Sequence, residues 1–166
     1  MKKILAIIIC TAVTMLLTAC SDSKNTSSGN IIENNIEYVL ADEKDFEYED
    51  FYASANPYGV EITKYLGDGG NIVIPKESGG KQVRSIGKNA FNSDKKITGV
   101  YIPGGVVYIY STFSTCPDLT NVVIPDSVHY IVDSAFQNCN KNLCVRYQGT
   151  SYTKDNIKEL YTKING

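Results

Sequence analysis

His129 is the one histidine of this chain and the first place to look for a general base. Such a base needs a nucleophile or a second titratable group within hydrogen-bond reach. His129 stands between Val128 and Tyr130, with neither a Cys nor an Asp adjoining it, and reads as a surface residue. The thiols offer little more. Of five cysteines, Cys116, Cys139 and Cys144 lie beyond the first twenty residues. They lack the Cys-x-x-Cys spacing of a zinc site, and an odd number closes no disulfide framework. Cys116 and Cys139 read as small buried apolar groups, with a disulfide between them as the alternative. The carboxylates point the same way. ADEKDFEYED (41–50) lacks the central glycine of a calcium loop and reads as a solvated charge run. Asp118, Asp126 and Asp133 adjoin Pro117, Pro125 and Ser134, where turn chemistry accounts for them. Gly67-Asp68-Gly69-Gly70 is followed by no Lys-Ser/Thr pair and no helical pattern, so it reads as a turn between strands. No catalytic residue, metal site or cofactor is expected, and the chain is not expected to be an enzyme.

The chemistry that remains is at the N-terminus. Lys2 and Lys3 precede an apolar run from Ile4 to Leu17, and Ala19-Cys20 ends it. A basic start, a short apolar core and small residues at its end make a secretory signal, and the run is short for a membrane span. Leu17-Thr18-Ala19-Cys20 resembles a bacterial lipobox, which implies that Cys20 becomes the first mature residue and carries lipid. The alternative is an ordinary signal with an incidental Cys. Acyl chains, at about 0.8 kcal/mol per buried CH₂, would hold a domain on a membrane without a spanning helix. The expected location is the bacterial cell surface or envelope, outside the cytoplasmic membrane.

The elements that would be displayed by such an anchor begin some way downstream. SDSKNTSSGN (21–30) is polar and reads as a tether. Asn25-Thr26-Ser27 matches a glycosylation acceptor, discounted for a bacterial lipoprotein. Ile32, Ile36, Val39 and Leu40 could form a short helical face, although 31–50 stays ambiguous. Residues 20–50 hold nine acids and two lysines, a net of −7, whereas 51–166 hold nine acids and twelve bases, a net of +3. Without a Lys/Arg run, nucleic acid is not an expected partner. Val60-Glu61-Ile62-Thr63 alternates as a strand does.

From Asn71 onward the residues fall into columns. Ile74-Pro75, Ile102-Pro103 and Ile124-Pro125 align; so do Val83, Val106 and Val128; Ile86, Ile109 and Ile131; Phe91, Phe113 and Phe136. Ala90, Thr112 and Ala135 precede the phenylalanines, and Asp94, Cys116 and Cys139 follow them. Ile97, Leu119 and Leu143 come next, then Val100, Val122 and Val145. The phenylalanines are 22 and 23 residues apart, and KESGGKQ lengthens the first Ile-Pro interval to 28. A period near 22 residues marks units that bury their apolar faces only by stacking. Val100 and Ile102 should point inward and Tyr101 outward. Pro103 should end its strand.

IPDSVHYIVDSAFQNC (124–139) resembles the BspA-type leucine-rich repeat, in its Ile-Pro, Val-x-x-Ile, Ala-Phe and Cys positions. The resemblance covers residues 59–147. The second unit departs from it by one residue lost between Ile109 and Phe113 and by Thr112, the first by Asp94. It implies a β-rich leucine-rich-repeat solenoid, about three and a half coils long, with an N-terminal strand cap and a C-terminal helix cap. The expected division is a lipoprotein signal peptide (1–19), lipidated Cys20 with an acidic tether (20–45), a strand cap (46–71), repeats (72–147) and a helical cap (148–166). Ile157, Leu160, Tyr161 and Ile164 share one helix face, with Thr153 or Asp155 as its N-cap.

Twelve tyrosines and no tryptophan are the remaining chemical signal. Tyr101, Tyr108, Tyr110 and Tyr130 fall at or near outward positions. Tyr108 and Tyr130 share a column and should adjoin on neighbouring coils, either binding a ligand or stabilising the sheet. Tyr101 should lie beside Val123 and Arg146 on the concave face. The family resemblance implies a surface module that binds an extracellular or envelope protein or a glycan, as in adhesion. The alternative is a structural or accessory subunit of an envelope assembly.

Overall fold

A computed structural model describes residues 24–25, 29–53, 56–94 and 96–166. Its strands in chain order are β1 (Lys24–Asn25), β2 (Ile31–Glu33), β3 (Ile36–Leu40), β4 (Phe46–Ala53), β5 (Asn56–Tyr65), β6 (Gly70–Val73) and β7 (Glu77–Ser78). There follow β8 (Lys81–Ile86), β9 (Ile97–Tyr101), β10 (Tyr108–Ile109), β11 (Asn121–Ile124), β12 (Tyr130–Ile131), β13 (Cys144–Tyr147) and β14 (Thr150–Thr153), then helix α1 (Ile157–Asn165). The expected signal peptide, Cys20 and most of the segment 21–30 expected to be a tether lie outside the described residues.

Among the described residues the strands form two main sheets. A front sheet runs β1-β2-β3-β6-β9-β11-β13-β14, and a back sheet runs β12-β10-β8-β5-β4 with β7 beside β8. Successive coils give one strand to each sheet in turn: β6 then β8, β9 then β10, β11 then β12. The result is the expected β-rich solenoid, of about four turns. Parallel registers place Ile72, Val100, Val122 and Val145 side by side in front. They place Ile62, Ile86, Ile109 and Ile131 side by side behind. These columns are buried, because alternate strand residues point to the same face.

At the corner between the sheets the aromatics stack. Phe46 lies 5.1 Å from Tyr65, Tyr65 5.1 Å from Phe91, Phe91 5.1 Å from Phe113, and Phe113 5.6 Å from Phe136. Each buried ring contributes roughly 1.5–3 kcal/mol. Two residues after each phenylalanine of the repeat, Ser93, Thr115 and Asn138 take φ of 60°, 62° and 56°, a left-handed step that reverses the chain. Cys116 and Cys139 then explain themselves. Their thiols are free and donate to the carbonyls of Phe91 and Phe113 on the preceding coil, each at 2.9 Å. Burial pushes the Cys116 thiol up to about 12 and raises that of Cys139 as well. Asp94, in the same column, turns its carboxylate to the amides of Lys96 and Ile97 instead. Thr112, in the coil that is one residue short, shares its hydroxyl between the carbonyls of Ile86 and Gly87.

Two expectations are corrected. Residues 31–45 are not tether and Ile32, Ile36, Val39 and Leu40 do not form a helical face. Ile31 pairs with Tyr38 and Glu33 with Ile36 in an antiparallel hairpin. Its two-residue turn, Asn34-Asn35, takes φ of 51° and 62°, and a turn with two positive φ values matches the twist of paired strands. At the other end the strand β14 precedes the expected helix, and the correction concerns that helix's N-cap. Gln148-Gly149, again both positive in φ, folds β14 back on β13. α1 then presents Leu160, Tyr161 and Ile164 to the core. Neither Thr153 nor Asp155 caps it; Asn156 holds that place, its side chain turned to Thr153.

The cap also finishes the ladders of the last coil. The Asn165 amide accepts from Ile131 N–H at 2.9 Å and donates to Ile131 C=O at 2.8 Å, as a further strand would. Lys154 Nζ donates to the Phe136 carbonyl at 2.6 Å. That carbonyl is the one which the next coil's Cys would have reached. Lys154→Met is therefore expected to cost about 1.5–3 kcal/mol in denaturant unfolding, the range for a hydrogen bond to a charged donor. Lys158→Met, on the exposed side of α1, is expected to change stability by less than about 0.5 kcal/mol; equal losses in the two variants would remove this role from Lys154.

Candidate functional site

The back face carries the tyrosines. Tyr108 and Tyr130 are register partners, as their shared column predicts. Their rings lie 6.3 Å apart, and Tyr110 lies 6.5 Å from Tyr108 and 5.9 Å from Tyr130. The strip starts at the second coil because the register partner of Tyr108 on β8 is Ser85, which is buried and donates to Glu61. Burial, and then Glu61, raise the Tyr110 hydroxyl above its ordinary pKa. Tyr130 ends the strip, 40% exposed.

Phe51, which the sequence reading did not single out, extends this strip. It comes from β4 and lies 5.4 Å from Tyr108. The same hairpin holds Tyr52 against Tyr58, both well exposed. The aromatic residues of FYASANPY were the available signal, although only tertiary pairing decides which coil they reach.

The front face differs. Tyr101, Val123 and Arg146 do adjoin in successive strands. They are half-buried rather than open, because the hairpin β2–β3 crosses over them. Arg146 Nη1 lies 2.9 Å from Glu33 Oε1, and these side chains are 23% and 10% exposed. Tyr38 is 1% exposed and meets the Tyr101 ring edge-on at 6.0 Å. Beneath it is Gly99, whose register neighbours are Asn71 and Asn121. A Cβ on Gly99 would stand 3.0 Å from Tyr38 and 2.6 Å from the Asn71 side-chain oxygen. Gly99 is thus a notch in a row of larger residues, and the Tyr38 ring fills it. Burial, with Glu33 next, pushes the Tyr38 hydroxyl up to about 12. Tyr101 keeps an open side on a cleft of about 680 Å³ floored by Val73, Pro75 and Pro103. Arg146, a candidate ligand contact on the concave face, is engaged within the chain by Glu33. Glu33 and Tyr38 carry no site signal in the sequence, because residues 31–40 fit a tether or a helical face by composition and spacing.

Comparison with known proteins bears on the frame that holds these faces. Residues 71–156 match the BspA type leucine rich repeat region, in six copies. No curated protein matches the chain. Among solved structures, the leucine rich repeat protein of T. pallidum is similar, with a TM-score of 0.57 and 26% identity. That match covers 65% of this chain and 50% of the other, so this chain spans half the length of its structural relative.

The ion pair on the front face should be measurably stronger than those at the surface. A double-mutant cycle of Glu33→Gln and Arg146→Met is expected to give a coupling of about 1–3 kcal/mol. Lys64 and Glu47, exposed and 3.9 Å apart, should give well under about 1 kcal/mol. Equal couplings would mean that water reaches the Arg146 pair as freely as it reaches the other.

Proposed function

The chain belongs to the BspA-type leucine-rich repeat family, and on that footing we propose that it is a surface lipoprotein whose solenoid binds a protein or glycan through the back-face tyrosines. The observation that carries this reading is the strip Tyr108–Tyr110–Tyr130. Three rings from adjacent coils lie within 6.5 Å of one another. A solenoid needs buried rings in its core, and Phe91, Phe113 and Phe136 already supply them. The tyrosines lie on the outer side, where aromatic side chains with a polar tip offer large contact area at small entropic cost. Adhesion to host or neighbouring cells is one use of such a face. Capture of a component of the cell's own envelope would instead make the protein an accessory subunit.

The binding reading is checked on one variant by two measurements. The chain is first immobilised against proteins shaved from other cells and, separately, against its own envelope, to obtain a ligand. Tyr108→Ala combined with Tyr130→Ala is then expected to weaken that ligand by roughly 2 kcal/mol or more with little change in Tm. Unchanged affinity with a lowered Tm would assign the strip to sheet stabilisation, at about 1–2 kcal/mol for the lost cross-strand contacts.

Anchoring at Cys20 rests on Leu17-Thr18-Ala19-Cys20. Cys20→Ser is expected to abolish incorporation of labelled palmitate and to release the protein from the membrane fraction. Persistent labelling would place the lipid elsewhere.

A further inference from the structure

We propose that the front face is a docking groove for a β-hairpin bearing a carboxylate and an aromatic ring on its diagonal, and that the chain's own hairpin β2–β3 is a tethered occupant which such a partner replaces. The groove has three features that together select this chemistry. Arg146 supplies a half-buried cation, Gly99 supplies a notch the depth of a side chain, and Tyr101 supplies an aromatic ring beside it. Glu33 and Tyr38 meet all three. Glu33 faces Ile36 and Tyr38 faces Ile31 across the hairpin, so the two recognition groups sit on a diagonal of two paired strands. A single strand could not present both in this arrangement.

The way the hairpin is held suits an occupant that can leave. Among the described residues, its ladder to the solenoid consists of Val39 with Ile72 and Leu40 with Val73, continued by the Ala41 N–H on the Val73 carbonyl at 3.1 Å. From this hinge the hairpin swings out over the sheet, and Glu33 near its turn reaches Arg146 on β13. Over that span its grip comes through side chains. Its outer side leaves Ile32 40% and Val39 53% exposed, so among the described residues no second layer clamps it down. β1 adds only a two-residue strand on β2; an antiparallel unit this small is marginal in water, so the groove supplies its order.

The same contacts dictate what can take its place. Lifting the hairpin strips Arg146 of its counter-charge in a partly desolvated position, which penalises an empty groove or an occupant without a carboxylate. It also empties the Gly99 notch, which only a flat side chain refills without moving the strands. The short link from Leu40 to β4 gives the resident hairpin a high effective concentration, so it outcompetes weak partners and yields to strong ones.

The probe is a synthetic peptide of residues 29–41, GNIIENNIEYVLA, titrated to millimolar concentration into the isotope-labelled full chain by NMR. In a chain carrying Glu33→Gln and Tyr38→Ala, the amides of Gly99, Val123 and Arg146 are expected to shift saturably. In the unmodified chain the apparent affinity should be at least about 10-fold weaker, because the tethered hairpin competes. A peptide carrying the same two substitutions should bind neither chain. No saturable shift in the substituted chain, or equal affinity in both, overturns the proposal. Native-state hydrogen exchange on the unmodified chain provides a second test that needs no variant to fold. Amides of 31–38 should exchange through an opening smaller than global unfolding. If they exchange only when the whole chain unfolds, the hairpin is a permanent cap and the proposal falls.

Discussion

No coil of this solenoid can bury its own apolar face. A turn of some 22 residues encloses a single layer of side chains, and both flat sides of that layer remain apolar until another coil covers them. The aromatic stack from Phe46 through Tyr65, Phe91 and Phe113 to Phe136 is this constraint in its most concentrated form. Each ring is covered by the next, so the ends become the critical places. At the front of the stack the antiparallel pair β4–β5 closes it with Phe46. At the back α1 closes it with Leu160, Tyr161 and Ile164.

Polar groups obey the same rule in parallel. A buried carbonyl must be met, and the repeat meets the one at each phenylalanine with the thiol of the following coil. That arrangement requires a following coil. At the last one, Lys154 and Asn165 reach back and make the missing bonds with side chains. Burial keeps the repeat thiols protonated, which suits a weak donor and makes them poor nucleophiles. Cys116 and Cys139 are thus packing groups with a hydrogen bond, and both thiols are free.

Because the core consumes the inward column of every strand, function is left to the outward columns, and the two sheets use theirs differently. The back sheet gathers tyrosines and leaves them partly open. The front sheet lowers its relief at Gly99 and accepts a hairpin from the acidic N-terminal region. The charge imbalance between residues 20–50 and the rest of the chain has a structural expression here, since Glu33 from the acidic part meets Arg146 from the basic part. A desolvated pair of this kind contributes more to register than to net stability. It fixes where the hairpin lies without making its departure prohibitive.

Periodicity alone determined the coil. The Ile-Pro, Val-x-x-Ile and Phe columns name the buried residues correctly, and they also name the outward neighbours Tyr108 with Tyr130 and Tyr101 with Val123 and Arg146. A repeated position occupies the same place in every coil, so one-dimensional spacing carries three-dimensional information. The residues outside the repeat have no such guide. Ile32, Ile36, Val39 and Leu40 fit a helix by spacing, and only the Asn34-Asn35 turn and the groove beneath it make them strands. Lys154 and Asn165 look like ordinary helix-cap polar residues until the unmet carbonyls of the last coil are in place. Whether the front face is open or covered was decided by tertiary structure for the same reason: the contact of Glu33 with Arg146 joins residues 113 positions apart, and nothing local in either segment announces its partner.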